Sequence, residues 1–182
     1  MIIKVREKDK LELRTLVSGN ADEVFEVIDK NRDYLREWLP WVDGTKSPYN
    51  TRESIGRWKK GIKDKADYTF GIFSGGNYIG NMGVHNINTF SDSAMIGYWL
   101  SPEWQGKGIM TDCVRALTNY CFSELNLNSV HIACADANKK SRAVPERLGF
   151  VQEGILQDCL KYHGVYFDEV IYGVVKRNWV KI

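Results

Sequence analysis

Hydrophobic residues recur along the chain at two periods, and the switches between them mark its elements. Over Leu11–Val17 apolar and polar residues alternate, which predicts a first strand. The period then lengthens. Val24, Phe25, Val27 and Ile28 form the apolar face of a first helix, and Asn20-Ala21-Asp22-Glu23 ahead of it reads as a capping box, with Asn20 as cap and Glu23 reaching back. Leu35, Trp38, Leu39 and Trp41 crowd into seven residues before a loop with Pro48, so this aromatic stretch either packs on the core or lines a cleft. Thr51 is placed to cap a second helix carrying Ile55, Trp58 and Ile62.

Strands return in the middle of the chain. Asp67–Phe73 and Tyr78–Ile87 read as a hairpin about Ser74-Gly75-Gly76-Asn77, and glycines at 80 and 83 favour bending or a close backbone approach. After a polar loop, Thr89–Ser93, the run Ala94–Leu100 is the next strand. Ile109, Cys113, Ala116, Leu117, Tyr120 and Cys121 then recur at helical spacing. Ser129–Cys134 is apolar enough for a central strand, Lys140–Leu148 a short helix stopped by Gly149, and Gly154–Tyr162 with Tyr166–Val175 a closing pair that turns at His163-Gly164. This pattern predicts one α+β domain with a mixed, mostly antiparallel sheet and helices on both faces.

Candidate chemistry sits where strand Ile96–Leu100 passes through Gln105-Gly106-Lys107-Gly108 into the helix beginning at Ile109. A helix start leaves backbone N–H groups without intrahelical partners at the positive end of the macrodipole, and glycines admit an anion close to the backbone. The stretch therefore reads as a pyrophosphate cradle, with a plain glycine turn as the alternative. It is not a Walker loop, because Lys107 is followed by Gly108 and the glycines lie two apart. Nor is it a dinucleotide fingerprint, because Thr111 stands where the third glycine belongs.

Composition narrows the picture. A chain of 182 residues suits one domain, spanning 1–182, and a net charge of +2 gives no global reason to expect nucleic acid as a partner. No apolar run approaches the roughly 20 residues that span a bilayer, and Met1–Glu7 is too short and charged for a signal peptide. Cys113, Cys121, Cys134 and Cys159 show no paired spacing and read as reduced core residues of a cytoplasmic protein. No His/Cys/carboxylate cluster suggests a metal.

The loop also resembles the acetyl-CoA loop of the GNAT N-acetyltransferases: Gln or Arg, two residues, Gly, one residue, then Gly or Ala. Gln105 and Gly108 match, and Met110 departs at the last position. Asn138-Lys139-Lys140-Ser141, running on to Gly149-Phe150, resembles the second GNAT signature. Glu153-Gly154 and the stretch Tyr34–Trp41 make the chain most similar to the Rim-type branch, which acetylates the N-termini of ribosomal proteins. The resemblance implies that strands Ile96–Leu100 and Ser129–Cys134 are parallel neighbours that splay apart. Acetyl-CoA would then lie along Tyr98, Trp99 and Leu100, with its pyrophosphate on Gln105, Gly106, Lys107, Gly108, Ile109 and Met110. One or two of Lys107, Lys139, Lys140, Arg142 and Arg147 would meet its phosphates. The resemblance further implies that Asn138 and Ser141 meet the pantetheine end and that Trp38 and Trp41 border the acceptor groove.

Acetyl transfer to an amine needs a neutral nucleophile, alignment, oxyanion donors and a proton for the leaving thiolate. A protein α-amine, with a pKa of about 7.7–8.0, is partly neutral at pH 7, whereas deprotonating a lysine there costs more than about 4 kcal/mol. An enzyme for α-amines can therefore work without a strong base. The resemblance implies that Ser141, matching the Ser of the second signature, is the first candidate acid, with a helix cap as its structural alternative. For the base, the resemblance implies an acid a few residues after Glu153-Gly154, where Asp158 is the only one, and His85 could relay a proton through water. His131 and His163 read as structural residues. The expected acceptor is a protein N-terminus. A small amine (aminoglycoside, polyamine or amino acid) and a non-catalytic CoA-binding module are the alternatives, and exposed aromatics such as Tyr166 and Trp179 would suit a homodimer.

Overall fold

A computed structural model of the protein describes residues 1–180. The last two positions of the expected domain, Lys181 and Ile182, lie outside the described residues. Among the described residues, eight strands and five α-helices follow one another as β1 (Ile2–Arg6), β2 (Leu11–Arg14), α1 (Ala21–Lys30), α2 (Arg32–Leu35), α3 (Pro48–Lys63), β3 (Tyr68–Ser74), β4 (Asn77–Asn88), β5 (Ser93–Leu100), α4 (Ile109–Ser123), β6 (Ser129–Ala135), α5 (Lys139–Arg147), β7 (Val151–Tyr162) and β8 (Val165–Val175). The strands hydrogen-bond in the order β1-β2-β3-β4-β5-β6-β8-β7. By chain contacts there are two compact units, Met1–Gly83 with Tyr98–Ile109, and Val84–Gly97 with the chain from Met110 onward.

In the first unit, β1 pairs antiparallel with β2 (Ile3 opposite Leu13), and β2 with β3 (Leu13 opposite Ile72). Val24 and Ile28 of α1 and Ile55 of α3 bury against Leu16, Leu35, Val42, Phe73 and Tyr78, each such side chain contributing about 1.5–3 kcal/mol. β3 and β4 are joined through Gly75 and Gly76 at φ +58° and +93°, a left-handed pair that glycine adopts without strain.

Three expectations change here. The first strand is β1, a short segment that Lys4 and Arg6 disguise, and β2 ends at Arg14 rather than Val17. The capping box at Asn20 and Glu23 is not formed: Asn20 Oδ1 accepts the Val17 N–H at 3.0 Å, and Glu23 Oε1 accepts the Tyr78 N–H at 2.9 Å. Tertiary demand for an acceptor on β4 outcompetes the local cap. Thr51 does not cap α3, which begins at Pro48 after Ser47; Thr51 lies inside the helix, buried. Proline at a first helical position suits the missing N–H.

In the second unit, β5 and β6 are parallel, in register from Ser93/Ser129 to Met95/His131. β6 stays in register with β8 through Ala135 opposite Glu169. The early end of the parallel ladder is what splaying strands give. Of the expected face of α4, Ile109, Cys113, Leu117 and Cys121 are buried while Ala116 and Tyr120 are half-buried, and Val114, Thr118 and Phe122 are buried as well because the helix is covered on more than one side. β7 pairs with β8, turns at His163 and Gly164 (φ +50° and +85°), and shifts register between Gln152 and Gly154 and between Leu156 and Leu160.

Two further expectations fail in this unit. Cys159 is exposed on β7, unlike the buried Cys113, Cys121 and Cys134, and none of the four is in a disulfide among the described residues. Trp179 is not an exposed aromatic: its ring packs edge-on against Phe122 and Phe150 and its Nε1 donates to Asn119 Oδ1 at 2.7 Å. Tyr166 is exposed.

Candidate active site

The glycine loop begins where β5 is pressed against β4. A Cβ on Gly80 would stand 2.4 Å from the Trp99 carbonyl oxygen and 3.0 Å from Leu100 Cα, so only glycine permits this approach. Ser101, 1% exposed, then donates both its N–H and its hydroxyl to the Ile79 carbonyl, each at 2.9 Å. After a short turn at Pro102–Trp104, the Gln105 carboxamide donates to the Tyr34 hydroxyl and, at 3.4 Å, to the Leu100 carbonyl. Gly106 and Gly108 both adopt φ +73°, and a Cβ at either would meet nothing within 4 Å. Ile109, buried, starts α4. The loop is thus pinned at both ends while its middle is exposed.

That arrangement suits an anion. Two left-handed glycines with open space where a side chain would stand, followed by the first turn of a 15-residue helix, leave backbone amides approachable at a positive dipole end. Lys107 does not hang free over the loop: its Nζ donates to the Glu103 carbonyl at 2.9 Å and lies 4.8 Å from the centre of the Trp104 ring. Gln105, expected with Leu100 to meet the cofactor, is held at the base of the loop by its bonds to the Tyr34 hydroxyl and the Leu100 carbonyl. Met110 is half-buried.

The aromatic residues of the first unit form a row. The Trp41 and Trp99 rings are 6.4 Å apart and tilted, and Trp99 meets Tyr78 edge-on at 6.0 Å. Trp41 is 44% exposed and Tyr78 only 3%, so the row runs from surface to core. Burial, with Glu23 nearby, raises the Tyr78 phenol well above its usual range. Trp38 and Tyr98 are half-buried.

In the second unit Asn138, not Ser141, caps α5: its Oδ1 accepts the Ser141 N–H at 3.1 Å. The Ser141 side chain, spared that duty, hydrogen-bonds Cys134, whose thiol burial pushes up to about 11. Behind it, Arg142 Nε donates to the Tyr172 hydroxyl at 2.9 Å and Tyr172 donates to Glu146 Oε1 at 2.6 Å, while Arg142 Nη1 reaches the Asp136 carbonyl. This network ties α5 to β8. Burial, then the bond to Glu146, lifts the Tyr172 phenol above its usual value. Arg147 donates to Thr111 Oγ1 at 3.2 Å, and Lys139 to the Asp136 carbonyl at 3.0 Å.

The proposed bases stand on other elements. Asp158 is exposed at φ +50° in the register shift of β7, with its N–H donated to Asp168 Oδ1 at 3.0 Å. His85 is half-buried on β4, its ring covering Gly97. His131 Nε2 lies 3.2 Å from Glu153 Oε2, a structural pair.

The acetyltransferase (GNAT) domain family matches residues 10–151. The chain belongs to the GNAT acetyltransferases. YdaF of Bacillus subtilis, a ribosomal N-acetyltransferase by provisional name, is 37% identical over 172 residues, 94% of each chain. The ribosomal-protein-serine acetyltransferase of Escherichia coli is 28% identical over 92% of this chain and 94% of that one. A solved structure of RimL, a ribosomal α-N-protein acetyltransferase in complex with coenzyme A, superposes with a TM-score of 0.91 at 26% identity, covering 96% of this chain and 98% of that one. This GNAT acetyltransferase thus has a CoA-bound structural neighbour of nearly its own length.

Several residues that shape the loop escaped sequence reasoning. Ser101 reads as a turn residue, and Tyr34 lies 71 positions from its partner Gln105. Arg6 and Asp9 sit on a strand and turn that were not expected. The alternation of Ile3 and Val5 was the available signal.

Proposed function

We propose that this chain forms, over residues 1–182, a single cytoplasmic N-acetyltransferase domain that moves the acetyl group of acetyl-CoA to the N-terminal α-amine of a ribosomal protein. The observation that carries this reading is the pair of left-handed glycines, open where a Cβ would stand, ahead of the buried first residue of α4. Backbone amides from Gly106 to Met110 take the pyrophosphate, and the strand end Tyr98–Leu100 takes the pantetheine arm. Names of relatives that act on ribosomal proteins support the acceptor class.

In this reading the α-nitrogen bonds the thioester carbon as the carbon–sulfur bond breaks, Ser141 gives its hydroxyl proton to the departing thiolate, and the proton leaving the nitrogen restores that hydroxyl through water. The Ser141 backbone N–H is held by Asn138, and its hydroxyl already engages a sulfur, that of Cys134. The α-amine needs little help to lose its proton near neutral pH. His85 serves as a relay through water, and Asp158, solvated in its register shift, is the weaker choice. Trp41 and Trp38 line the approach of the acceptor peptide, a short aromatic surface suited to the first residues of an extended chain.

The test is acetylation of synthetic peptides with the N-termini of ribosomal proteins, read by mass spectrometry. α-Acetylation of at least one peptide, absent when its amine is blocked, is expected. Transfer confined to polyamines or amino acids, or no transfer at all, would remove the proposal.

A further inference from the structure

The strand missing from sequence expectations ends at Arg6, whose guanidinium reaches the glycine loop. Arg6 Nη1 donates to the Lys107 carbonyl at 3.4 Å. The rest of the guanidinium is held by Asp9: Nε donates to Oδ1 at 3.0 Å and to Oδ2 at 3.1 Å, and Nη2 to Oδ2 at 2.5 Å. Asp9 is itself anchored, since its carbonyl accepts the Gly75 N–H at 3.0 Å and the Ser74 hydroxyl at 3.3 Å. A chain of bonds therefore runs from the β3–β4 turn through Asp9 and Arg6 to the centre of the loop.

The peptide linking Lys107 to Gly108 is planar and trans, so its C=O and N–H point in opposite directions. Holding the Lys107 carbonyl on Arg6 aims the Gly108 N–H away from Arg6. The orientation of this peptide turns on ψ of Lys107 and φ of Gly108, and Gly108 is conformationally permissive, so the Arg6 bond restrains a peptide whose glycine side leaves it loose. A flipped peptide would offer an approaching phosphate a carbonyl instead of an amide. Arg6 is also a poor candidate for a simple phosphate-binding cation. Asp9 neutralises it at 2.5 Å, so what remains is direction rather than net charge.

We infer that Arg6, oriented by Asp9, is a positioning residue that fixes the Lys107–Gly108 peptide so that the Gly108 amide is presented to the pyrophosphate of CoA. This rests on the acetyl-CoA reading above. It separates from electrostatics by the sign of one substitution. Removing the negative charge of Asp9 near an anion site should tighten CoA binding if charge alone mattered. Loss of orientation should weaken it.

The experiment is calorimetric titration of the full chain and of Asp9→Asn, Arg6→Met and Arg6→Lys with CoA, and in parallel with pantetheine, which carries no phosphate. Wild-type protein should bind CoA, and all three variants should bind it about tenfold more weakly, the scale of one charge-assisted hydrogen bond. Pantetheine binding should be unchanged in all of them. CoA affinity that is equal or higher in Asp9→Asn would overturn the inference, and so would a full rescue by Arg6→Lys. An equal loss for CoA and pantetheine would also overturn it, since that marks general loosening. If wild-type protein fails to bind CoA, the acetyl-CoA reading itself falls and takes this inference with it.

Discussion

The two signature segments are held in opposite ways. The glycine loop of the first unit is exposed in the middle and fixed by side chains far away in sequence: Arg6, Asp9 and Tyr34. The start of α5 in the second unit is fixed from within, by Asn138 on the amide three residues later, and is backed by Arg142 and Glu146 of the same helix meeting Tyr172. A ligand-binding loop gains open backbone amides by giving up local hydrogen bonds, so its order must come from elsewhere. A helix start that presents one hydroxyl can be stabilised locally.

The comparison can be broken most directly at Gly108. Its φ of +73° strains any L side chain, and its open Cβ direction would aim a carboxylate into the cradle. Gly108→Glu should weaken CoA binding by about a hundredfold, or about 2.7 kcal/mol, and lower Tm by only the few degrees that about 1 kcal/mol of backbone strain accounts for. Calorimetry with a parallel melt checks both. Unchanged affinity would return the loop to a structural turn. Ser141→Ala comes next. It leaves the Asn138 cap in place, so kcat should fall by about tenfold to a hundredfold, the range for losing an acid, while KM for acetyl-CoA holds. A rise in KM with kcat intact would make Ser141 a binding residue instead.

Gly80 sharpens the contrast between two kinds of glycine. A Cβ there meets main-chain atoms of Trp99 and Leu100 that cannot swing aside, whereas at Gly106 and Gly108 it meets open space. Gly80→Ala should therefore cost about 2 kcal/mol of stability by overpacking, measured by urea unfolding. Gly106→Ala should cost less in stability and act through its φ alone.

The same contrast explains what was legible beforehand. Motifs whose parts are close in sequence announced themselves in the Gly75–Gly76 turn and the helical spacing of α4, whereas at α5 the cap was expected of Ser141 and is Asn138. Where a polar group had two possible partners, the distant one prevailed. Glu23 fits a capping box on paper but is claimed by the Tyr78 amide, and Gln105 reaches Tyr34, 71 positions away, besides the nearby Leu100 carbonyl. Periodicity carries no information on which acceptor in a folded chain lacks a donor. β1 was missed because Lys4 and Arg6 mask a short alternation, and with it went Arg6. Asn138→Ala measures the local side of the contrast, with an expected loss of about 1 kcal/mol in unfolding free energy for a missing cap.

The smallest effect is on pH, and it separates the two modes of support. The Arg6 hydrogen bonds hold the Asp9 carboxyl below its ordinary value of 3.8. A carboxylate with a depressed native pKa contributes stability above its unfolded value and loses it as pH falls through the native one. The Asp9–Arg6 contribution should therefore be complete above about pH 4.8, a unit above 3.8, and should fade in more acidic solution. Because the pair is partly exposed, its size should stay under about 1 kcal/mol. Unfolding of wild type and Asp9→Asn should then differ slightly at neutral pH and converge in acid. The Asn138 cap carries no ionisable group, so the gap between wild type and Asn138→Ala should persist over the same range. Convergence of both gaps would mean that acid loosens α5 as well, and the distinction between distant and local support would not survive.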